Sequence, residues 1–136
     1  VKFLVDANVL SEATKPQPDA KVVAWLADHE TQLAINPIIL GELRFGILAL
    51  PKGKRRRGLL EWLDTGVRYM AMLDLDAETA GHWTQLLADL KRKGREMPVK
   101  DSLIAATALQ YGVPSATRNT KDFAFMKVNV VNPFSY

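Results

Sequence analysis

Residues 1–8 read Val1-Lys2-Phe3-Leu4-Val5-Asp6-Ala7-Asn8, a short apolar run that closes on an aspartate. A run this brief, built from valine, phenylalanine and leucine, predicts a buried strand over Val1 to Val5 with a turn after it. The same signature recurs at Thr31 to Ile35, Met72 to Leu75, Val113 to Thr117 and Val128 to Val131. Helical patterns lie between the first four of these strands. Pro18 and Asp19 open one that carries Val22, Val23, Trp25 and Leu26 to about His29. Asn36-Pro37 opens the next, because asparagine accepts from first-turn amides and proline needs no amide partner at the first helical position. It runs to about Leu50, where Pro51-Lys52-Gly53 breaks it. From Lys54 a helical spacing continues through Leu59, Leu60, Leu63, Val67 and Met70. Asp76 caps a helix that buries Ala80, Trp83, Leu86, Leu87 and Leu90 and ends near Gly94, and a last one spans Val99 to Tyr111. Strand, helix and strand repeated along one chain predict a parallel sheet with helices on both faces. In such sheets the working site lies at the carboxyl ends of the strands.

A length of 136 residues suits one domain over 1–136, and 48% hydrophobic with 24% charged residues supports a packed core rather than disorder. The absence of cysteine excludes disulfides, thiolate metal sites and a cysteine nucleophile. The chain enters a strand pattern at once rather than a signal peptide, and its apolar runs are too short to span a bilayer, so a cytoplasmic protein without membrane contact is expected. The net charge of +3 is mild but uneven. Lys52, Lys54, Arg55, Arg56 and Arg57 form one basic stretch, and Lys91, Arg92, Lys93, Arg95 and Lys100 form another. These are either patches for a polyanionic partner or solvated helix ends and loops.

Four acids stand where a parallel sheet places its carboxyl-end loops. Asp6 follows the first strand, as a capping residue or as part of a site. Glu42 sits in the helix from Pro37 to Leu50, whose only charges are Glu42 and Arg44. Such a helix is expected to be buried, and a buried glutamate must be paired, protonated or bound to a metal. Arg44, two residues away, does not face it, which leaves Arg118 or another distant base as the alternative to a functional role. Asp101 opens an alanine-rich helix, where a first-turn aspartate contributes about 0.5–2 kcal/mol as a cap. Asp122 lies just beyond a strand and has the same two readings. Four converging carboxylates repel one another unless a hard divalent cation neutralises them, and magnesium or manganese suits oxygen-only ligands. With no cysteine and only His29 and His82, zinc is unattractive, and both histidines are expected in packing or surface roles.

Four strings carry a family resemblance: Val-Asp-Ala-Asn-Val-Leu-Ser-Glu at 5–12, Gly-Glu-Leu-Arg-Phe-Gly-Ile at 41–47, Asp-Ser-Leu-Ile-Ala-Ala-Thr-Ala at 101–108 and Thr-Arg-Asn-Thr-Lys-Asp-Phe at 117–123. In this order, and with the Leu-Pro-Lys-Gly-Lys-Arg-Arg-Arg loop at 50–57, they resemble the PIN-domain ribonucleases over nearly the whole chain. Within that family the resemblance is to the VapC-type and FitB-like toxins of toxin–antitoxin pairs. It implies a three-layer α/β/α sandwich with a central, mainly parallel sheet, usually homodimeric. It also implies an acidic pocket that holds Mg2+ or Mn2+ and cleaves RNA to 5′-phosphate and 3′-hydroxyl ends. Carried over, the metal-site acids are Asp6, Glu42, Asp101 and Asp122, with Asn8 and Asn119 as supporting polar residues. Ala7 departs from a frequent threonine and removes no carboxylate. A cognate antitoxin is implied as partner, often placing a basic side chain among the acids.

Arg118 and Lys54, Arg55 and Arg56 are candidate contacts to RNA backbone or antitoxin. The stretch Ile38 to Leu50, with Phe45 and Ile47, together with Trp62 and Tyr69, serves either the core or a dimer or antitoxin surface. Two other readings stay open. A phosphatase with a nucleophilic aspartate is suggested by Asp6-x-Asn8, although the second aspartate of the usual pair is missing. The other is a non-catalytic PIN-like RNA-binding or protein-interaction module.

Overall fold

In the computed structural model, which describes residues 1–124 and 126–136, Leu4 and Val5 are fully buried. The strand they belong to, β1 (Phe3–Val5), runs through the middle of a sheet. On one side of it lie β2 (Leu33–Ile35) and then β3 (Ala71–Met72), and on the other β4 (Ser115–Ala116) and then β5 (Val130–Val131). Every pairing is parallel, with Phe3 opposite Leu33 and Leu4 opposite both Ala34 and Ser115. The expected mainly parallel sheet is thus wholly parallel among the described residues. The helices are α1 (Ala7–Glu12), α2 (Ala20–Asp28), α3 (Pro37–Leu48), α4 (Lys54–Thr65), α5 (Ala77–Arg92), α6 (Val99–Tyr111) and the short α7 (Thr120–Phe123). They flank the sheet as a three-layer α/β/α sandwich. Among the described residues no helix is long and apolar enough to cross a membrane.

The strands are shorter than their apolar runs. Val113 to Thr117 contributes only Ser115–Ala116, and Met72 to Leu75 gives way to Ala71–Met72, because a ladder ends where its neighbour ends, whatever the side chains favour. The turn expected after Val5 is the helix α1, entered at once from Asp6, whose side chain accepts from the Ala7 amide. The helical spacing from Lys54 stops at Thr65, and Val67–Tyr69 is a separate 3-10 turn. Asp76 forms the capping box of α5, and α6 ends on Gly112 at φ 64°, left-handed backbone that glycine adopts without steric cost.

Helix α3 is not apolar all round in effect. Ile39, Leu43 and Ile47 form its buried stripe at four-residue spacing, whereas Phe45 is 75% and Leu48 45% exposed. It packs against α1, α4 and α6 on one side and meets water on the other. In the core, Trp25 has its ring 5.2 Å from Phe3 edge-on and 4.5 Å from His29, stacked. His29 has a packing role accordingly, and His82 lies exposed on α5.

Asn36 ties the fold to the site. It is fully buried, its side chain accepts from the Ile39 amide at 2.8 Å, and its amide donates to Thr107 Oγ1 on α6 at 3.1 Å. One residue therefore caps α3 and fastens it to α6. Asn36→Ala is expected to cost about 2 kcal/mol, the upper end for a lost cap, because a cross-helix hydrogen bond goes with it. Urea denaturation would read this as a lower midpoint at unchanged slope, and an unchanged midpoint would refute the assignment.

Candidate active site

Chain order reverses between β1 and β4, since β2 and β3 extend the sheet one way and β4 and β5 the other. A crevice opens at the carboxyl ends of strands at such a reversal. Asp6 leaves β1 there and Thr117 leaves β4, and the Thr117 hydroxyl donates to Asp6 Oδ2 at 2.8 Å across the crevice. Asp6 Oδ1 accepts from the Ala7 amide at 2.7 Å. Thr117 Oγ1 accepts in turn from Asn8 Nδ2 at 3.2 Å and from the Asn119 amide at 3.1 Å. Asn8 also donates to Asp6 Oδ2 at 3.4 Å, and its Oδ1 accepts from the Arg118 amide at 3.1 Å. Asn8 thus supports Asp6 through its side chain, and Asn119 acts through its backbone.

Glu42, in the second turn of α3, and Asp101, in the first turn of α6, lie near enough to Asp6 for its charge to act on both. Among the described residues no side chain caps the α6 terminus, so the Asp101 carboxylate is not consumed as a cap. Burial pushes the Glu42 carboxyl up, helped by the charges of Asp6 and Asp101 and opposed by Lys100. Asp101 is raised by burial and by Asp6 and Asp122, again against Lys100. Asp6 is raised chiefly by burial, although Thr117, Ala7 and Lys100 favour its charged form. Three carboxylates are therefore electrostatically joined, and Asp122, exposed on α7, joins through Asp101.

Among the described residues, no three acids or histidines stand close enough to hold one cation as a set. Oxygens are already engaged: Lys100 Nζ lies 3.6 Å from Glu42 Oε2, and Asp6 Oδ2 is held by Thr117. Glu42 Oε1, by contrast, is buried with no hydrogen-bond partner among the described residues. An orphaned anionic oxygen among repelling carboxylates costs free energy that a hard cation would offset, so the donor chemistry fits magnesium or manganese.

The base facing Glu42 is therefore Lys100. Arg118 is turned elsewhere, its guanidinium 4.6 Å above the Phe134 ring. Lys54, Arg55 and Arg56 lie in the first turn of α4, which has no acidic residue and no side-chain cap. Among the described residues no carboxylate pairs with them, and Arg56 Nε is buried without a partner. Two residues of the site escape a reading of the sequence. Thr117 is hidden as the end of a strand, and Lys100 betrays itself only as a cation in a helix first turn, where the dipole disfavours it.

A PIN domain family model matches residues 3–128. "VapC ribonuclease Y4jK" of Sinorhizobium fredii is 35% identical over 136 residues, covering 97% of each chain. "Toxin FitB" of Neisseria gonorrhoeae is 36% identical over 136 residues, covering 97% of this chain and 98% of its own. The crystal structure of FitAcB from Neisseria gonorrhoeae superposes with a TM-score of 0.92 at 35% identity, covering 98% of this chain and 99% of that one.

Proposed function

The chain belongs to the PIN-domain family, and from that premise we propose that it is the metal-dependent endoribonuclease toxin of a toxin–antitoxin pair. Asp6, Glu42, Asp101 and Asp122 would hold its cation, Mg2+ or Mn2+, directly or through water, since among the described residues no three of them stand close enough to do so together. The observation that carries this reading is the set of mutually repelling carboxylates around the unpartnered Glu42 Oε1. The names VapC ribonuclease and Toxin FitB, borne by relatives matched over nearly their full length, support the activity and the toxin role.

A bound divalent cation would supply neutralising charge and a water acidic enough to act as a nucleophile near neutral pH. The chain's own residues do the rest. Thr117 and Asn8 fix the direction of the Asp6 carboxylate, as outer partners do for metal-site acids. The Asn36 bridge keeps α3 and α6, and with them Glu42 and Asp101, at a set separation. Lys100 balances the acids and is placed to meet an RNA phosphate at the rim. The cations at the start of α4 serve RNA backbone or antitoxin.

The antitoxin partner follows from the toxin reading, and its basic side chain would compete with metal for the acids. Among Phe45, Ile47 and Tyr69, Phe45 and Tyr69 are 75% and 80% exposed and open to docking it or a second copy in a homodimer, whereas Ile47 is core. The test is cleavage of a mixed RNA pool by purified protein in magnesium, manganese or EDTA. Cutting with metal and none in EDTA is expected. Absence of cutting by folded, antitoxin-free protein under every condition would overturn the reading.

A further inference from the structure

Next to the acids, the segment joining α5 to α6 walls an open groove of about 740 Å3. Leu87, Leu90 and Met97 give it an apolar lining, and Lys91 and Arg95 a cationic one. A smaller cavity of about 110 Å3 shares Leu90, Arg95, Glu96 and Met97 with the groove and extends to Pro98, Lys121 and Asp122. The two adjoin, and the far wall of the smaller one is a carboxylate of the candidate active site. We propose that this groove binds the single-stranded RNA on one side of the scissile phosphate. A base lies against Leu87, Leu90 and Met97, and the backbone follows Lys91 and Lys121 toward Asp122. The inference rests on the ribonuclease reading and adds to it the place where substrate is held.

Three observations converge on this occupant. The groove falls in the range of about 300–1,000 Å3 usual for ligand pockets, and it combines an apolar wall with a cationic rim. That combination suits single-stranded nucleic acid, whose bases need apolar contact while its backbone needs positive charge. Two residues of the second basic stretch of the sequence, Lys91 and Arg95, line the groove, and Lys121 lines the cavity between it and Asp122. Charge also discriminates among occupants. An antitoxin segment basic enough to enter the acidic pocket would be repelled by Lys91 and Lys121, and so would a second copy of this cationic face. Glu96, the carboxylate of the lining, can accept from a base amino group or a 2′-hydroxyl.

The experiment compares Lys91→Ala and Met97→Asp with the parent. Binding of a labelled single-stranded RNA is measured by anisotropy across a salt series on the Asp6→Asn background, and steady-state cleavage on the active background. Expected are increases in Kd and KM of about tenfold for Met97→Asp and a salt slope shallower by about one for Lys91→Ala. kcat and the magnesium-induced rise in Tm should stay at the parent values. If the parent cleaves RNA and both variants keep its Kd, KM and salt slope, the groove is not the RNA site. Unchanged KM with loss of dimer mass or of antitoxin binding would overturn the proposal in favour of a protein interface. A parent that neither binds nor cuts RNA would remove the ribonuclease reading and this proposal with it.

Discussion

Asp6→Asn is expected to reduce RNA cleavage by about a thousandfold, the order of several kcal/mol of transition-state stabilisation, while the protein stays folded. Asparagine keeps an oxygen to accept from the Ala7 amide, so α1 remains capped. The cost falls at Thr117. Its hydroxyl now donates to Asp6 Oδ2 and already accepts from Asn8 and the Asn119 amide, so an amide nitrogen in place of Oδ2 leaves one donor unmatched. Against this stands the removal of a buried charge whose desolvation is the largest influence on Asp6. The two effects oppose, and Tm should move by only a few degrees. Initial rates on the RNA pool, beside circular dichroism melts, separate the cases. Cutting at the parent rate would sink the carboxylate mechanism, and loss of fold together with cutting would make Asp6 a structural residue.

The second large effect is a pH-dependent stabilisation by divalent cation. Asp6, Glu42 and Asp101 are all held above their ordinary values, so the unfolded chain gives up these protons more readily than the folded one. Their contribution is fully present below the ordinary carboxylate range and is lost as pH rises through the folded values. Glu12 and Asp76, held below their ordinary values by Lys15 and by the Thr79 amide respectively, work the opposite way, and lose their contribution only as pH falls beneath that range. Metal-free protein should therefore lose stability as pH rises out of the ordinary carboxylate range. A cation offsets the repulsion among ionised acids and competes with protons for them. At one hundred times its Kd it contributes about 2.7 kcal/mol, or about 10 °C in Tm for a chain of this size. Differential scanning fluorimetry should show that rise with MgCl2 or MnCl2 at pH 7.5 and much less near pH 4, inside the ordinary carboxylate range where the three acids take up protons. Equal rises at both values, or the same rise in Asp6→Asn, would show that the acids are not where the cation acts.

Legibility in the sequence varied with the range of the physics involved. Asp6 stood out because a strand that is buried on both faces cannot hide a charge, so an acid ending an apolar run marks the strand's carboxyl end. The caps of α3 and α5 and the stop at Gly112 were equally plain, being local hydrogen bonding and backbone geometry. Glu42 was singled out on an incomplete premise. The helix around it looked buried throughout, yet Phe45 and Leu48 are exposed, and what matters is that Glu42 lies on the side facing α6. For Asp101 the choice between cap and site was undecidable in sequence, since both place an acid in a first turn. The folded chain removes the hydrogen-bonded cap, because among the described residues no side chain caps α6.

By itself, then, the sequence determined the alternation of strands and helices, the parallel sheet it demands, the acids at the strand ends and the family. All of these rest on interactions within a turn or along one apolar run, and on motifs read in order. Tertiary structure alone decided that Thr117 anchors Asp6 from 111 positions away. It likewise decided that Lys100 rather than Arg118 faces Glu42, and that a cationic groove adjoins Asp122. Contacts between residues distant in the chain depend on how the sheet orders its strands and how α3 is set against α6. That packing belongs to the whole fold, and no single stretch of residues carries it.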